Sequence, residues 1–309
     1  MKKNVISIMG PTAVGKTNLS IEIAKKFNGE VISGDSMQVY KGLDIGTAKI
    51  KPSEMQGITH HMLDIREADQ EFSVSDFKEN VQKYINDITA RGNLPIIVGG
   101  SGLYIQAALY DYNFSEAKRD HTITNKMEEI IESEGIMPLY NRLVEIDPEQ
   151  AEKIHPNNHR RVIRALEIYE STGMTMTAYK ENQSMESPYK PILLGLDMER
   201  ELLYRRINER VDHMMKDGLL DEVKNLYAKG YENCQSMNAI GYKEFIPYFK
   251  NEQSLEETIE LLKRNSRRYA KRQLTWFRNK MDLTWFHMTP ATIDKQFANI
   301  LDELAGILK

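Results

Sequence analysis

Apolar positions along the first third of the chain alternate between two periods. Val5-Ile-Ser-Ile-Met9 is a short unbroken apolar run, and from Thr17 onward Leu19, Ile23 and Phe27 repeat at helical spacing. Glu30–Ser33 and Leu94–Val98 repeat the first pattern. Between them, Val74, Phe77, Val81, Tyr84, Ile85 and Ile88 carry a helical stripe over Ser73–Ala90 that Gly92 ends, and another helix starts near Leu103. Strands alternating with helices predict a mainly parallel sheet covered by helices.

The register changes near Asp111. From about 115 to 188 strand signals are few, helices such as Lys126–Glu134 are acidic, and Gly135, Pro138, Pro148, Pro156 and Gly173 act as breakers. This stretch reads as a helical insertion, residues 115–188, in a core made of residues 1–114 and 189–309. Lys190–Leu196 returns as a strand, followed by helices over about 199–216, 218–229 and 255–280, a short strand at Leu283–Phe286 and a last helix from about 290. A length of 309 residues agrees with two structural units.

Composition narrows the class. No apolar run is long enough to cross a bilayer, and the start lacks the apolar stretch and cleavage site of a signal peptide, so a cytoplasmic protein with no membrane partner is expected. Cys234 is the only cysteine, which excludes an internal disulfide and any zinc site built on paired cysteines. The net charge of −4 decides nothing about nucleic acid; the distribution of charge does.

The first strand runs into Gly10, Pro11, Thr12, Ala13, Val14, Gly15, Lys16 and Thr17, which fits G-x-x-x-x-G-K-[ST] in its required strand-to-helix setting. Glycines let the backbone approach an anion, so successive N–H groups and the positive helix end point at it; Lys16 adds charge, and the Thr17 hydroxyl suits Mg²⁺. The expected fold is therefore α/β, a P-loop NTPase-like parallel sheet covered by helices, with the helical insertion.

Ser33-Gly34-Asp35-Ser36 follows the second strand, putting Asp35 at the carboxyl edge of the sheet, where ligands of open α/β folds bind. A working carboxylate and a turn aspartate both fit that position. Val98-Gly-Gly-Ser101-Gly brings a hydroxyl to the same edge, to face the phosphates beside Thr17 or to cap the next helix. A nucleotide-hydrolysing P-loop expects an apolar strand ending in Asp, whereas Leu94–Val98 ends in glycine; this weakens a kinase or ATPase reading. His60-His61 with Asp64 offers metal-ligand types, but adjacent strand residues point to opposite faces.

Two basic clusters remain. His159-Arg160-Arg161 with Arg164 lies in the insertion; Lys263, Arg264, Arg267, Arg268, Lys271, Arg272, Arg278 and Lys280 crowd one helix, with no acidic residue between Leu261 and Met281. Positions 264, 267, 268, 271 and 272 share a face, and Tyr269, Trp276 and Phe277 lie among them as stacking platforms. A phosphate-tracking surface is favoured over a solvated charged face, which usually mixes signs.

These pieces together resemble the tRNA dimethylallyltransferases, the bacterial tRNA isopentenyltransferase family. The resemblance covers nearly the whole chain: Gly10-Pro-Thr-Ala-x-Gly-Lys-Thr17, Asp35-Ser36-x-Gln38-x-Tyr40, Asp44-Ile-Gly-Thr-Ala-Lys49, His60-His-x-Leu-Asp-Ile65, Val98-Gly-Gly-Ser-Gly-Leu-Tyr104, Arg205-x-Ile-Asn-x-Arg210, Ile240-Gly-Tyr242 and Ala270-Lys-Arg-Gln-x-Thr-Trp-Phe-Arg278. It implies transfer of a dimethylallyl group from dimethylallyl diphosphate to N6 of adenosine 37 beside the tRNA anticodon, with Mg²⁺.

By correspondence, residues 10–17 hold the diphosphate, Thr17 holds the metal, and Asp35, Ser101, Lys16 and Arg210 are catalytic. Asp35 resembles the family's general base and Arg210 its phosphate-binding arginine. Ser101 stands where the family usually has threonine. Contacts to tRNA fall on Asp35, Ser36, Met37, Gln38, Ser101, Thr124, Arg160, Arg161, Val162, Ile163 and Arg164. A monomer is expected. Three rivals share some of these features: a small-metabolite kinase, a transferase prenylating free AMP or ATP, and a non-catalytic RNA-binding module. The insertion and the basic clusters favour a large acceptor over a free nucleotide, and the Lys16, Asp35 and Ser101 edge favours an enzyme.

Overall fold

A computed structural model of the chain describes residues 2–110, 112, 121–182 and 186–308. The expected domain boundary near 115 lies outside them. Among the described residues there are two compact units: Met1–Leu109 with Ser187–Lys309, and Tyr110–Glu186.

The larger unit is built on one six-stranded sheet. Its strands are β1 (Asn4–Met9), β2 (Gly29–Ser33), β3 (His60–His61), β4 (Leu94–Gly99), β5 (Lys190–Asp197) and β6 (Thr284–His287), in the order β3-β2-β4-β1-β5-β6. Every pairing is parallel. Central β1 is mostly apolar because helices cover both faces: Val5, Ile6, Ile8 and Met9 are all fully buried, and so is Ser7.

The helices form where the stripe and the caps agree. In this unit they are α1 (Lys16–Phe27), α2 (Val74–Ala90) and α3 (Gly102–Leu109) before the break, then α9 (Arg200–Lys216), α10 (Leu219–Ala228), α11 (Ile246–Phe249), α12 (Leu255–Lys280) and α13 (Ile293–Ile307) after it. The numbers between belong to the smaller unit: α4 (His121–Glu134), α5 (Met137–Ile146), α6 (Pro148–Glu152), α7 (His159–Thr172) and α8 (Met176–Glu181). Ser73 with Asp76 and Ser254 with Glu257 form reciprocal capping boxes that start α2 and α12. Leu19 and Ile23 of α1 join Ile6, Ile8, Leu196, Ile300 and Leu304 in the main core, each such side chain contributing about 1.5–3 kcal/mol on burial.

The smaller unit has its own core of Met127, Leu139, Leu143, Ile154, Val162 and Leu166. Asp147 ties it together: its carboxylate accepts from the Gln150 amide that starts α6 (3.1 Å) and from the Thr177 hydroxyl (2.6 Å) and amide (2.9 Å). Among the described residues no helix is long and apolar enough to cross a membrane.

Strand order fixes what can meet. β2, β4 and β1 are consecutive in the sheet, so the segments leaving their carboxyl ends lie side by side. Those segments are Gly34–Gln38, Gly100–Ser101 and Gly10–Gly15.

Candidate active site

The loop after β1 wraps back into α1 through Gly15, whose φ of +108° suits glycine and leaves the first amides of the helix facing outward. Lys16 Nζ donates to the carbonyls of Gly10 (2.9 Å) and Pro11 (2.7 Å). Burial and the nearby Arg210 charge push its pKa down to about 7, against the pull of Asp35. From α9, Arg206 Nε donates to the Ala13 carbonyl (2.9 Å) and Arg210 Nη1 to the Thr12 hydroxyl (3.2 Å). Three cations thus converge on one loop, as a polyanion requires.

Gln273 of α12 couples this loop to its neighbour. Its Oε1 accepts from the Thr12 amide (3.1 Å) and its Nε2 donates to the Gly100 carbonyl (3.1 Å). A Cβ on Gly100 would come within 2.0 Å of that Nε2, so only glycine lets the amide pass between the two loops.

Asp35 emerges from β2 at the carboxyl edge of the sheet, as expected, and it closes a turn there. Its Oδ1 accepts from the Met37 amide (2.8 Å), and it lines the same cavity as Lys16. Burial raises its pKa above the ordinary aspartate value, although the Met37 and Gln38 amides, Lys16 and Lys49 all pull the other way.

Ser101 directly precedes α3, and its carbonyl accepts from the Ile105 amide (3.0 Å). Its Oγ accepts from the Ser36 amide (3.1 Å) and meets the Ser36 hydroxyl (3.3 Å), while Tyr269 hydrogen-bonds to it from α12. It braces the segment carrying Asp35. Thr17 is exposed and lines the cavity.

The cavity holds about 470 Å³. Polar groups on its lining come from Thr12, Lys16–Asn18, Asp35, Ser36, Gln38, Arg206, Arg210 and Gln273, and apolar ones include Ile207, Val211, Met214, Ile240 and Leu262. Among the described residues no group of three or more His, Cys, Asp or Glu could hold a metal by itself. His60 contacts the Ile58 carbonyl (2.9 Å) and His61 the Glu30 carboxylate (2.6 Å), so this pair serves packing. Burial alone would raise the Glu30 pKa, but Arg91, Asn93 and His61 outweigh it and hold it at about 2.

The basic helix is less uniform in space than in sequence. Lys263 pairs with Asp212 (2.8 Å), Arg267 donates to Asn208 (2.6 Å) and Arg278 pairs with Asp197 (3.0 Å), so these three fasten α12 to α9 and β5. These partners lie on other elements, although Lys263 also pairs with Glu260 on α12 itself (3.3 Å). Arg264, Arg268, Lys271 and Arg272 are exposed, and Arg272 lies over the Tyr269 ring at 5.7 Å. Phe277 is fully buried, and Trp276 packs edge-on to it at 5.4 Å. Of the three aromatics only Tyr269 lines the cavity.

In the smaller unit Arg160 and Arg161 are exposed, Arg164 lies 3.0 Å from Glu167, and the side chains of Val162, Ile163 and Thr124 are buried. Arg206 and Gln273 were not singled out by sequence. The signal for Arg206 was its spacing, one helical turn before Arg210.

Fold and site together define a P-loop transferase in which a cation-rich loop and the Asp35 carboxylate line one cavity. Residues 38–280 match the family model for IPP transferase. A tRNA dimethylallyltransferase of Oceanobacillus iheyensis is 63% identical over 309 residues, covering 100% of this chain and 99% of that protein. The crystal structure of the full-length tRNA isopentenylpyrophosphate transferase of Bacillus halodurans superposes with a TM-score of 0.76 at 50% identity, covering 99% of this chain and 96% of that one. A eukaryotic dimethylallyltransferase, captured acting on tRNA, gives 0.81 at 37% identity over 94% of this chain and 75% of its own. The chain belongs to the IPP transferase family and is an enzyme.

Proposed function

We propose that this enzyme transfers the dimethylallyl group of dimethylallyl diphosphate to N6 of adenosine 37 in the tRNA anticodon loop and releases diphosphate. One observation carries the reading: Asp35, with its pKa raised by burial, shares a single cavity with the Lys16 loop. A base and a leaving-group cradle are what alkylation of a weakly nucleophilic amine needs.

The diphosphate lies on the amides of residues 10–17, with Lys16, Arg206 and Arg210 neutralising it. The flipped adenine enters from the side of Ser36, Met37 and Gln38. As the N6–C1 bond forms and the C1–O bond breaks, Asp35 takes the N6 proton and the electron pair leaves with the diphosphate. Ser101 holds Ser36, and through it the turn bearing Asp35. Mg²⁺ fits a donor set of one exposed hydroxyl, Thr17, completed by phosphate oxygens, since it commonly binds through substrate phosphates and few protein ligands. Bound there, it would supply further neutralisation of the leaving group. In the smaller unit the exposed Arg160 and Arg161 suit tRNA phosphates, and Thr124, Val162, Ile163 and Arg164 belong to that contact through their segments. A monomer acting in the cytoplasm completes the reading.

Incubation with labelled dimethylallyl diphosphate and either unmodified tRNA or AMP tests it. Label on tRNA is the expected result; label on AMP alone, or γ-phosphate passed from ATP to an acceptor, refutes it. The exposed face of α12 gives a second expected result. Replacing Arg264, Arg268 and Lys271 by glutamine weakens tRNA binding and reduces its salt slope by about 2 to 3, one for each phosphate left without its cation. An unchanged slope removes α12 from the interface.

A further inference from the structure

Gly46, Thr47 and Ala48 line the cavity from a loop, residues 43–49, that has no strand or helix of its own. What holds it is a carboxylate from α10. Glu222 accepts from the amides of Asp44 (3.0 Å), Ile45 (2.9 and 3.1 Å) and Gly46 (3.1 Å), and from the Tyr242 hydroxyl (2.6 Å). Three consecutive amides and a phenol fill the acceptor capacity of the carboxylate. The Tyr242 ring is fully buried and packs onto Gly46, where a Cβ would come within 2.5 Å.

The loop in turn holds a residue beside the base. The Thr47 and Ala48 carbonyls accept from Gln38 Nε2 (3.1 and 3.4 Å), while Gln38 Oε1 accepts from the Ser33 hydroxyl (2.8 Å). These contacts fix the orientation of the Gln38 amide. The Gln38 main-chain amide is itself one of the donors to Asp35. A continuous path of hydrogen bonds therefore runs from Glu222 through residues 44–48 and Gln38 to Asp35, and none of it passes through the Lys16 loop.

We propose that Glu222 is a positioning residue for the acceptor base: it sets the loop that sets Gln38 and Asp35. The assignment rests on the tRNA reading above. Lys49 secures the same loop from the other side, donating to the Tyr40 carbonyl (2.8 Å) and pairing with Asp44 and Asp64 (both 2.6 Å), so losing Glu222 displaces the 44–46 amides without releasing the whole loop.

The test separates acceptor from donor. In Glu222→Gln, kcat/KM for tRNA falls at least about thirtyfold, because each carboxylate oxygen accepts from two or more donors and an NH2 in its place accepts from none. The Kd of the unreactive thiodiphosphate analogue of the prenyl donor stays within about twofold, because its binding groups lie elsewhere. Amide exchange at residues 44–46 accelerates. Tyr242→Phe keeps the charge and the three amide bonds, removes one donor to the carboxylate and loses about tenfold; it carries the same test if Glu222→Gln does not fold. Unchanged kcat/KM for tRNA overturns the proposal, and so does an equal loss in donor affinity, which would mark general loosening. Absence of transfer to tRNA by the wild-type enzyme defeats the functional reading itself, a result the variants cannot mimic.

Discussion

Replacing Asp35 by alanine leaves tRNA bound and lowers turnover by about two to four orders of magnitude, the range that a positioned general base contributes. In the proposed mechanism its carboxylate, the one acidic side chain among the described residues lining the cavity, takes the N6 proton as the allylic carbon arrives, while Lys16, Arg206 and Arg210 face the diphosphate. The sign of the pH effect follows from its surroundings. Burial raises its pKa, so the proton-accepting form is lost at a higher pH than for an ordinary aspartate. Single-turnover rates should fall on the acid side with a midpoint above the usual carboxylate range, and Asp35→Asn should show no such limb. Single-turnover assays and filter binding measure the two halves separately. A variant that turns over at the wild-type rate rules out the base role, and one that no longer binds tRNA makes Asp35 a recognition residue first.

Lys16→Met should cost about two to three orders of magnitude in kcat, comparable to losing one preorganised donor from a leaving-group cradle. The ammonium also makes donor binding pH-dependent. With a pKa held at about 7 by burial and Arg210, it is charged below that value and neutral above it. Diphosphate restores the charge, so binding takes up a proton above about pH 7, and affinity falls as pH rises until the pKa of the complex is reached. Calorimetry of donor binding in buffers of different ionisation enthalpy reads this uptake directly. It should vanish in Lys16→Met, and its absence from the wild type would show that Lys16 is already charged before the anion arrives.

How much of this was legible beforehand follows from the reach of each signal. Periodicity and capping report on neighbours a few residues apart, and they located α1, α2, α12 and strands β1, β2, β4, β5 and β6 to within a few positions. The anion loop was legible for the same reason, since its chemistry lies in eight consecutive residues. Gln273 and Glu222 were not. Each is a polar residue on an amphipathic helix whose partners, Thr12 and Gly100 or Asp44 to Gly46, lie far away in the chain. The basic helix is legible as a stripe but its ends are not: Asp212 and Asp197, which pair with Lys263 and Arg278, come from other elements, while Arg264, Arg268, Lys271 and Arg272 stay exposed. The contact of Ser101 with Ser36 is not legible either, because it depends on strand order, which seats β4 between β1 and β2.

The pairing of β1 with β5 has a consequence for biosynthesis. Strand β1 is made first, but its partner on one side, β5, is encoded only after the intervening unit, at Lys190–Asp197. A nascent chain that has emerged through Leu109 therefore carries the finished phosphate loop next to an unzipped backbone edge, with Arg206, Arg210 and Gln273 still to be translated. The ribosome must deliver most of the polypeptide before the pocket can grip its anion, so the ligand can stabilise only a nearly complete molecule.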